Sequence, residues 1–184
     1  LKTGADKVYI LEKIKDLGKT TIIQDSYTSE EVELESDLLY PLIKGTEMRA
    51  YEILETDKVI LFPYSEGKLI NPGKMASNFP KVFAYLKNHE KYLDKRERGR
   101  FKGKEFYQYS RSQALDVMWR TKVITPDLAP HPRFNLDQEG KYFFTGGASG
   151  GYGILVNDEK YILPLLGLLN SSLFDWYIKK SSST

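Results

Sequence analysis

Apolar positions alternate in short runs through most of the chain and take helical spacing in a few stretches. Lys7-Val8-Tyr9-Ile10-Leu11 and Thr20-Thr21-Ile22-Ile23 are β-branched or aromatic runs on either side of Asp16-Leu17-Gly18-Lys19. They predict a hairpin with Gly18 in its turn. Val32-Glu33-Leu34-Glu35 alternates as a short strand. Ser36 to Lys44 predicts a short helix, capped by Ser36, with Leu38, Leu39, Leu42 and Ile43 on one face and Gly45 at its end. Pro41 argues against that helix. Lys58-Val59-Ile60-Leu61-Phe62-Pro63-Tyr64 is the strongest strand signal, a continuous apolar run suited to a buried position. The clearest helix runs from about Asn78 to Arg96. Ser77 or Asn78 caps it and Pro80 is tolerated in its first turn. Phe79, Val82, Phe83, Leu86 and Leu93 share its apolar face, with His89 on the polar side.

The second half is more broken. Glu97 to Lys104 carries two glycines and reads as a loop. Gln113 to Trp119 predicts a second short helix, and Lys122-Val123-Ile124-Thr125 a strand stopped by Pro126. Ala129-Pro130-His131-Pro132 is a stiff exposed loop. Asp137 to Gly140 is a turn before a strand at Lys141 to Thr145, and Gly146 to Gly151 a glycine-rich loop before a strand at Gly153 to Val156. Asn157 or Asp158 caps a helical segment through Leu169. Ser171 or Ser172 caps a last helix through Lys180, whose Leu173, Phe174, Trp176 and Tyr177 are expected to pack on the domain's own core. There is no internal repeat. Mixed, mostly antiparallel short strands with three to four helices predict an α+β fold, a single domain over residues 1–184.

Composition narrows the function classes. Apolar residues make up 41% and charged residues 28% of the 184, as in an ordinary soluble domain and unlike a disordered chain. No apolar run approaches the ~20 residues of a membrane helix, so no membrane partner is expected. The absence of cysteine excludes disulfide scaffolds, thiolate-held zinc, iron–sulfur clusters and thiol nucleophiles, and is consistent with a cytoplasmic protein. The net charge of +2 hides an asymmetry. Residues 24–57 hold ten acidic and two basic side chains, while residues 87–111 hold nine basic and four acidic. That is the footprint expected of a polyanion-binding chain. The opening Leu1-Lys2-Thr3-Gly4 and the closing Ser181-Ser182-Ser183-Thr184 read as cuts within a longer protein, so the chain is expected to be a fragment.

Candidate chemistry is sparse. The glycine loop from Thr145 to Gly153 lacks the Lys-Ser/Thr pair of a phosphate-cradling loop and the glycine order of a dinucleotide fold. His89 and His131, 42 residues apart, are the only histidines, and no carboxylate cluster joins them, so no metal site is assigned. Pro126-Asp127 followed by Glu139-Gly140-Lys141 is the bare pattern of a PD-(D/E)xK nuclease, in which two carboxylates hold a divalent ion and a lysine helps activate water. Both acids also fit ordinary turns. The basic stripe is more informative. Lys95, Arg96, Arg98, Arg100, Lys102, Lys104 and Arg111 alternate with Phe101, Phe106, Tyr107 and Tyr109. Arginine offers planar donors to phosphate or guanine edges, and flat rings can stack on bases. The competing reading is a solvated helix end paired with the acidic segment.

Five stretches carry a family resemblance, in order and over nearly the whole chain. They are Thr3-Gly4-Ala5-Asp6 with the run to Ile10; Leu38-Leu39-Tyr40-Pro41-Leu42-Ile43-Lys44-Gly45; Ile60-Leu61-Phe62-Pro63-Tyr64; Phe79-Pro80 through Tyr85-Leu86 with Leu93 and Arg96; and Leu168-Leu169-Asn170-Ser171-Ser172-Leu173-Phe174. On these residues the chain resembles the TaqI-like specificity domain, the C-terminal target-recognition region of bacterial adenine DNA methyltransferases and of fused restriction–modification enzymes. The resemblance implies a division of labour. A separate catalytic methyltransferase domain of the same polypeptide would bind S-adenosylmethionine and carry the Asn/Asp-Pro-Pro-Tyr/Phe motif, which is absent here. This fragment would need no cofactor, hold no catalytic residue, and read double-stranded DNA while the partner domain extrudes the base. The family's base-reading residues follow no fixed motif. The expected DNA-facing set therefore comes from the stripe and the glycine loop: Arg96, Arg98, Arg100, Lys102, Lys104, Tyr107, Tyr109, Arg111, Gly147, Ser149, Gly150 and Tyr152. A metal-dependent nuclease built on Asp127, Glu139 and Lys141, and a protein–protein docking module using the acidic segment, are the competing functions.

Overall fold

The continuous apolar run at Lys58–Leu61 lies inside an antiparallel sheet, one place from its edge. The computed structural model describes residues 1–52, 55–147 and 150–181. The chain divides into two compact units, Leu1–Leu42 with Thr56–Val117, and Ile43–Glu55 with Met118–Thr184.

In the first unit a single helical turn, α1 (Asp6–Tyr9), leads into β1 (Ile10–Asp16). The sheet continues with β2 (Thr20–Gln24), β3 (Glu31–Glu35), β4 (Leu39–Pro41) and β5 (Lys58–Leu61), in the order β3-β2-β1-β5-β4, with every neighbouring pair antiparallel. The expected hairpin forms between β1 and β2. Its turn holds Gly18 at φ +86°, with the Gly18 N–H donating to Asp16 Oδ1 at 2.7 Å. Residues 6–9 are helical rather than extended. Thr3 Oγ1 accepts from Ala5 N, the Val8 and Tyr9 amides donate to the Ala5 carbonyl, and both side chains are buried. The helix expected over Ser36–Lys44 is absent. A 3-10 turn at Ser36–Leu38 passes into β4, where Pro41, which has no N–H to give a ladder, sits on the edge strand that tolerates it. A small hairpin, β6 (Tyr64–Ser65) and β7 (Lys68–Leu69), turns through Glu66 and Gly67, both with positive φ, as a tight two-residue turn requires.

The expected helix over 78–96 is two pieces, α3 (Pro80–Asn88) and α4 (Glu90–Leu93), and it is preceded by a helix the pattern did not predict, α2 (Pro72–Asn78). Asn71 caps α2, accepting from Lys74 N at 2.9 Å, and neither Ser77 nor Asn78 caps α3. The α3 N-terminus has no local cap. Its Lys81 and Val82 amides donate to the two carboxylate oxygens of Glu35, at the end of β3, at 2.9 and 2.8 Å. An acidic side chain at a helix N-terminus satisfies free amides and complements the dipole, and this one ties helix to sheet. The helical run breaks at His89 because that ring is drawn inward rather than left on the polar side. Nδ1–H donates to the Tyr85 carbonyl at 2.9 Å, and Nε2 stands 3.0 Å from Asp25 Oδ2, at ion-pair distance but out of line for a hydrogen bond. Residues 113–119 are turns instead of a helix, with Ala114 at φ +59°.

The second unit is a three-stranded antiparallel sheet backed by two helices. β8 (Lys122–Pro126) is central, between β9 (Asn135–Asp137) and β10 (Gly151–Ile154). The strand expected over Lys141–Thr145 shrinks to one bridging position, where the Phe143 carbonyl accepts from Ile43 N. α5 (Ile162–Leu169) follows a 3-10 turn capped by Asp158, and α6 (Ser172–Ser181) begins with Phe174 N donating to Ser171 Oγ. Val123, Phe134, Ile162, Leu166 and Leu169 form its core, each burial contributing ~1.5–3 kcal/mol.

The fold is α+β, with six α-helices and only antiparallel pairings among the described residues. No helix among them is long and apolar enough to cross a membrane.

Candidate nucleic-acid interface

The basic stripe separates into buried anchors and exposed cations. Arg96 is an anchor. Its side chain is 7% exposed, Nε donates to the Leu93 carbonyl at 3.0 Å, and its two terminal nitrogens donate to the Thr3 and Phe106 carbonyls. The Phe101 ring lies 5.0 Å from the guanidinium carbon. Tyr107 and Tyr109 are buried as well, with hydroxyls donating to the Ile70 and Leu61 carbonyls, each at 2.6 Å. Burial pushes the Tyr107 phenol up to about 12 and the Tyr109 phenol well above its ordinary value. Arg96, Tyr107 and Tyr109 therefore leave the expected DNA-facing set. Each has exchanged water for main-chain acceptors inside the unit. Phe101 and Phe106 are buried beside them.

Of that set the stripe keeps exposed Arg98, Arg100, Lys102, Lys104 and Arg111, five cations on one loop whose aromatic residues are held in the core. The backbone there is unusual. Glu97 (φ +45°), Arg98 (φ +61°) and Gly99 (φ +84°) are all left-handed in succession. Glu97 Oε1 accepts from Arg111 Nη1 at 2.8 Å, and Glu97 Oε2 lies 3.6 Å from Arg100 Nη1.

The glycine loop of the second unit has two parts. A side chain at Gly150 would place its Cβ 1.8 Å from the Thr145 carbonyl oxygen, and one at Gly151 would place it 2.5 Å from that of Thr125. Both glycines are explained by backbone packing alone. Gly146 and Gly147 face open space, Gly147 at φ +94°. Tyr152 is exposed, and its hydrogen bond to Asp127 raises its phenol above the ordinary range. Ser149 lies outside the described residues.

The nuclease pattern does not assemble. Lys122 pairs with Asp137 across β8 and β9, so Asp127 follows one end of β8 and Glu139 lies beyond the other. Five strand residues separate those ends by roughly 16 Å. Asp137 lines a cavity of about 320 Å³ with Glu139, Lys141, Glu52 and Asn135, but its carboxylate is fully engaged. It accepts from Lys122 Nζ at 2.6 Å and from the Lys141 and Tyr142 amides. Burial lowers the Lys122 pKa, and Asp137 opposes that shift. Among the described residues no three His, Asp or Glu side chains converge as a metal site would need.

The last helix also departs from expectation. Phe174 packs against Phe134 with ring centroids 5.9 Å apart, but Leu173, Trp176 and Tyr177 are more than half exposed. A 3.6-residue period marks a stripe without saying that this chain covers it. Glu35 at the α3 terminus, the Asp25–His89 pair and the Lys122–Asp137 pair are the engaged polar residues that sequence reasoning missed. The last had a signal, since opposite charges fall directly opposite across β8 and β9.

No protein-family model matches the chain. Over 145 residues it is 28% identical to the type II methyltransferase M.BanIII of Aneurinibacillus aneurinilyticus, a match covering 76% of this chain. The match takes in 23% of that relative's length. The chain is thus similar, over most of itself, to a minor part of a much longer methyltransferase.

Proposed function

We propose that this chain is a sequence-specific double-stranded DNA recognition module serving an adenine DNA methyltransferase or fused restriction–modification enzyme. The observation that carries the reading is the loop from Arg98 to Arg111, where five exposed cations project from a base of buried Arg96, Phe101, Phe106, Tyr107 and Tyr109. An anchored row of guanidinium and ammonium groups suits the duplex backbone, and phosphate contacts set register while base edges set sequence. The resemblance to TaqI-like specificity domains and the similarity to a type II methyltransferase support it. Methyl transfer, and S-adenosylmethionine with it, belong in this reading to a catalytic domain of the same polypeptide. The glycine loop here leads into strand β10, not into a helix N-terminus, and so does not fit a nucleotide cradle. The open Gly146–Gly147 edge and Tyr152 are a second candidate DNA contact.

The test is duplex binding by the intact protein across a salt series. Replacing Lys102 and Lys104 with alanine flattens the log–log slope by about 0.9 for each phosphate that is no longer neutralised. An unchanged slope removes both lysines from the interface. The exposed face of α6 favours a second reading, a protein-docking module. On that reading Leu173→Ser with Trp176→Ser changes assembly, and the salt slope of duplex binding plays no part.

A further inference from the structure

We propose that Glu97 is an internal stand-in for a DNA phosphate, holding Arg100 and Arg111 in place and yielding them when a duplex arrives. The inference rests on the DNA reading above and deepens it. Two guanidinium groups converge on one carboxylate, Arg111 at 2.8 Å from one oxygen and Arg100 at 3.6 Å from the other. The planar donor fork of arginine matches carboxylate and phosphate alike, so the pair that grips Glu97 is already shaped for a phosphodiester. All three side chains reach water, with 33% of Glu97, 45% of Arg111 and 70% of Arg100 exposed. An incoming anion can therefore compete without the core opening.

The local fold supports exchange rather than a structural role. Glu97 and Arg98 occupy the left-handed region without being glycine, a conformation that persists only where the surroundings impose it and that gathers at functional segments. The imposition is visible. Arg96 on one side is fixed to three carbonyls, and Phe101 on the other is buried. Neither anchor involves the Glu97 side chain. Arg111 keeps a second acceptor, the Ser110 carbonyl at 2.8 Å, so it stays oriented when the carboxylate leaves. Exposed ion pairs of this kind add little to stability. The carboxylate's larger effect is on the field the loop presents. It cancels charge where phosphate must sit, and so weakens binding to any duplex whatever its sequence.

The experiment compares the intact protein with its Glu97→Gln variant on a short random-sequence duplex, at several salt concentrations, with melting temperature as a control. The expected result is several-fold tighter random-duplex binding at low salt, a gain that shrinks as salt rises, and an unchanged melting temperature. The gain disappears when Arg100→Ala and Arg111→Ala are added. A wild-type protein that binds duplex with a salt slope, beside a Glu97→Gln variant that binds no tighter, overturns the stand-in role and leaves the DNA reading intact. So does a gain that persists without the two arginines. A wild-type protein with no salt-dependent duplex binding overturns both.

Discussion

Two aromatic segments of this chain meet opposite fates. From Phe101 to Tyr109 the rings sit in a stretch dense with charge and glycine, where composition suggests an outward, base-stacking surface, yet Phe101, Phe106, Tyr107 and Tyr109 are buried. From Leu173 to Tyr177 the apolar residues have helical spacing, which suggests a core face, yet Leu173, Trp176 and Tyr177 stand in water. The difference lies in what waits for each side chain. Phenols of the first segment meet main-chain carbonyls, Ile70 for Tyr107 and Leu61 for Tyr109, and can be buried without forfeiting a hydrogen bond. In α6 one edge, Phe174, finds Phe134, while its three large neighbours stay exposed. A charged neighbourhood thus does not keep aromatics outside, and periodicity does not bring them in.

The largest effects come from filling space that is already taken or emptying space that is filled. Gly150→Val drives a side chain into the Thr145 carbonyl and should leave the second unit unfolded by circular dichroism. Gly146→Val, at an open position of the same loop, should leave the melt unchanged and weaken target binding only if that edge meets DNA. Phe106→Ala should cost about 3–5 kcal/mol in denaturant unfolding, as full aromatic burial implies. Trp176→Ala, on the exposed side of the comparison, should stay within about 0.5–1 kcal/mol. A large destabilisation at Trp176 would mean that α6 is covered by its own unit after all.

The arginines carry the same contrast. Arg96→Ala strands the Thr3, Leu93 and Phe106 carbonyls and should cost about 2–4 kcal/mol. Arg98→Ala should leave stability within about 0.5 kcal/mol while weakening duplex binding. The buried phenols give a pH signature. Burial raises Tyr64 and Tyr107 to about 12, and holds Tyr9, Tyr85 and Tyr109 well above the ordinary phenol value. A phenol whose folded pKa exceeds its unfolded value of about 10 supplies stability that is complete below pH 10 and lost as pH rises through the folded value. Denaturant midpoints should therefore fall from about pH 10 upward. Phenolate absorbance should show the buried tyrosines titrating only as the chain unfolds. Tyr109→Phe should cost about 1–2 kcal/mol for the donor taken from Leu61 and reduce the alkaline fall.

Much of the first sheet was legible, because strands of alternating or continuous apolar residues announce themselves locally. The β1–β2 hairpin, β5, and α5 with α6 fall where their patterns place them. The failures share a cause at long range. Residues 78–96 have helical spacing throughout, but His89 is taken by Asp25, which directly follows β2, and the helix breaks there. Residues 36–44 have a helical face, but Pro41 finds an edge strand to complete. Of the expected site, the exposed cations were legible from charge alone. The anchoring role of Arg96 was not, since its three acceptors come from residues 3, 93 and 106 and no local pattern brings them together.

Duplex affinity as a function of salt, for the intact protein and for a variant with Arg98, Arg100, Lys102 and Lys104 all changed to alanine, bears on the loop more directly than any other measurement. If the loop is a phosphate-reading surface standing on a buried base, the variant keeps its melting temperature. Its log–log slope then falls by about 0.9 for each cation that touches phosphate, up to roughly 3.6. A slope equal to that of the unaltered protein, in a variant that is equally stable, would mean that the loop does not meet the DNA backbone.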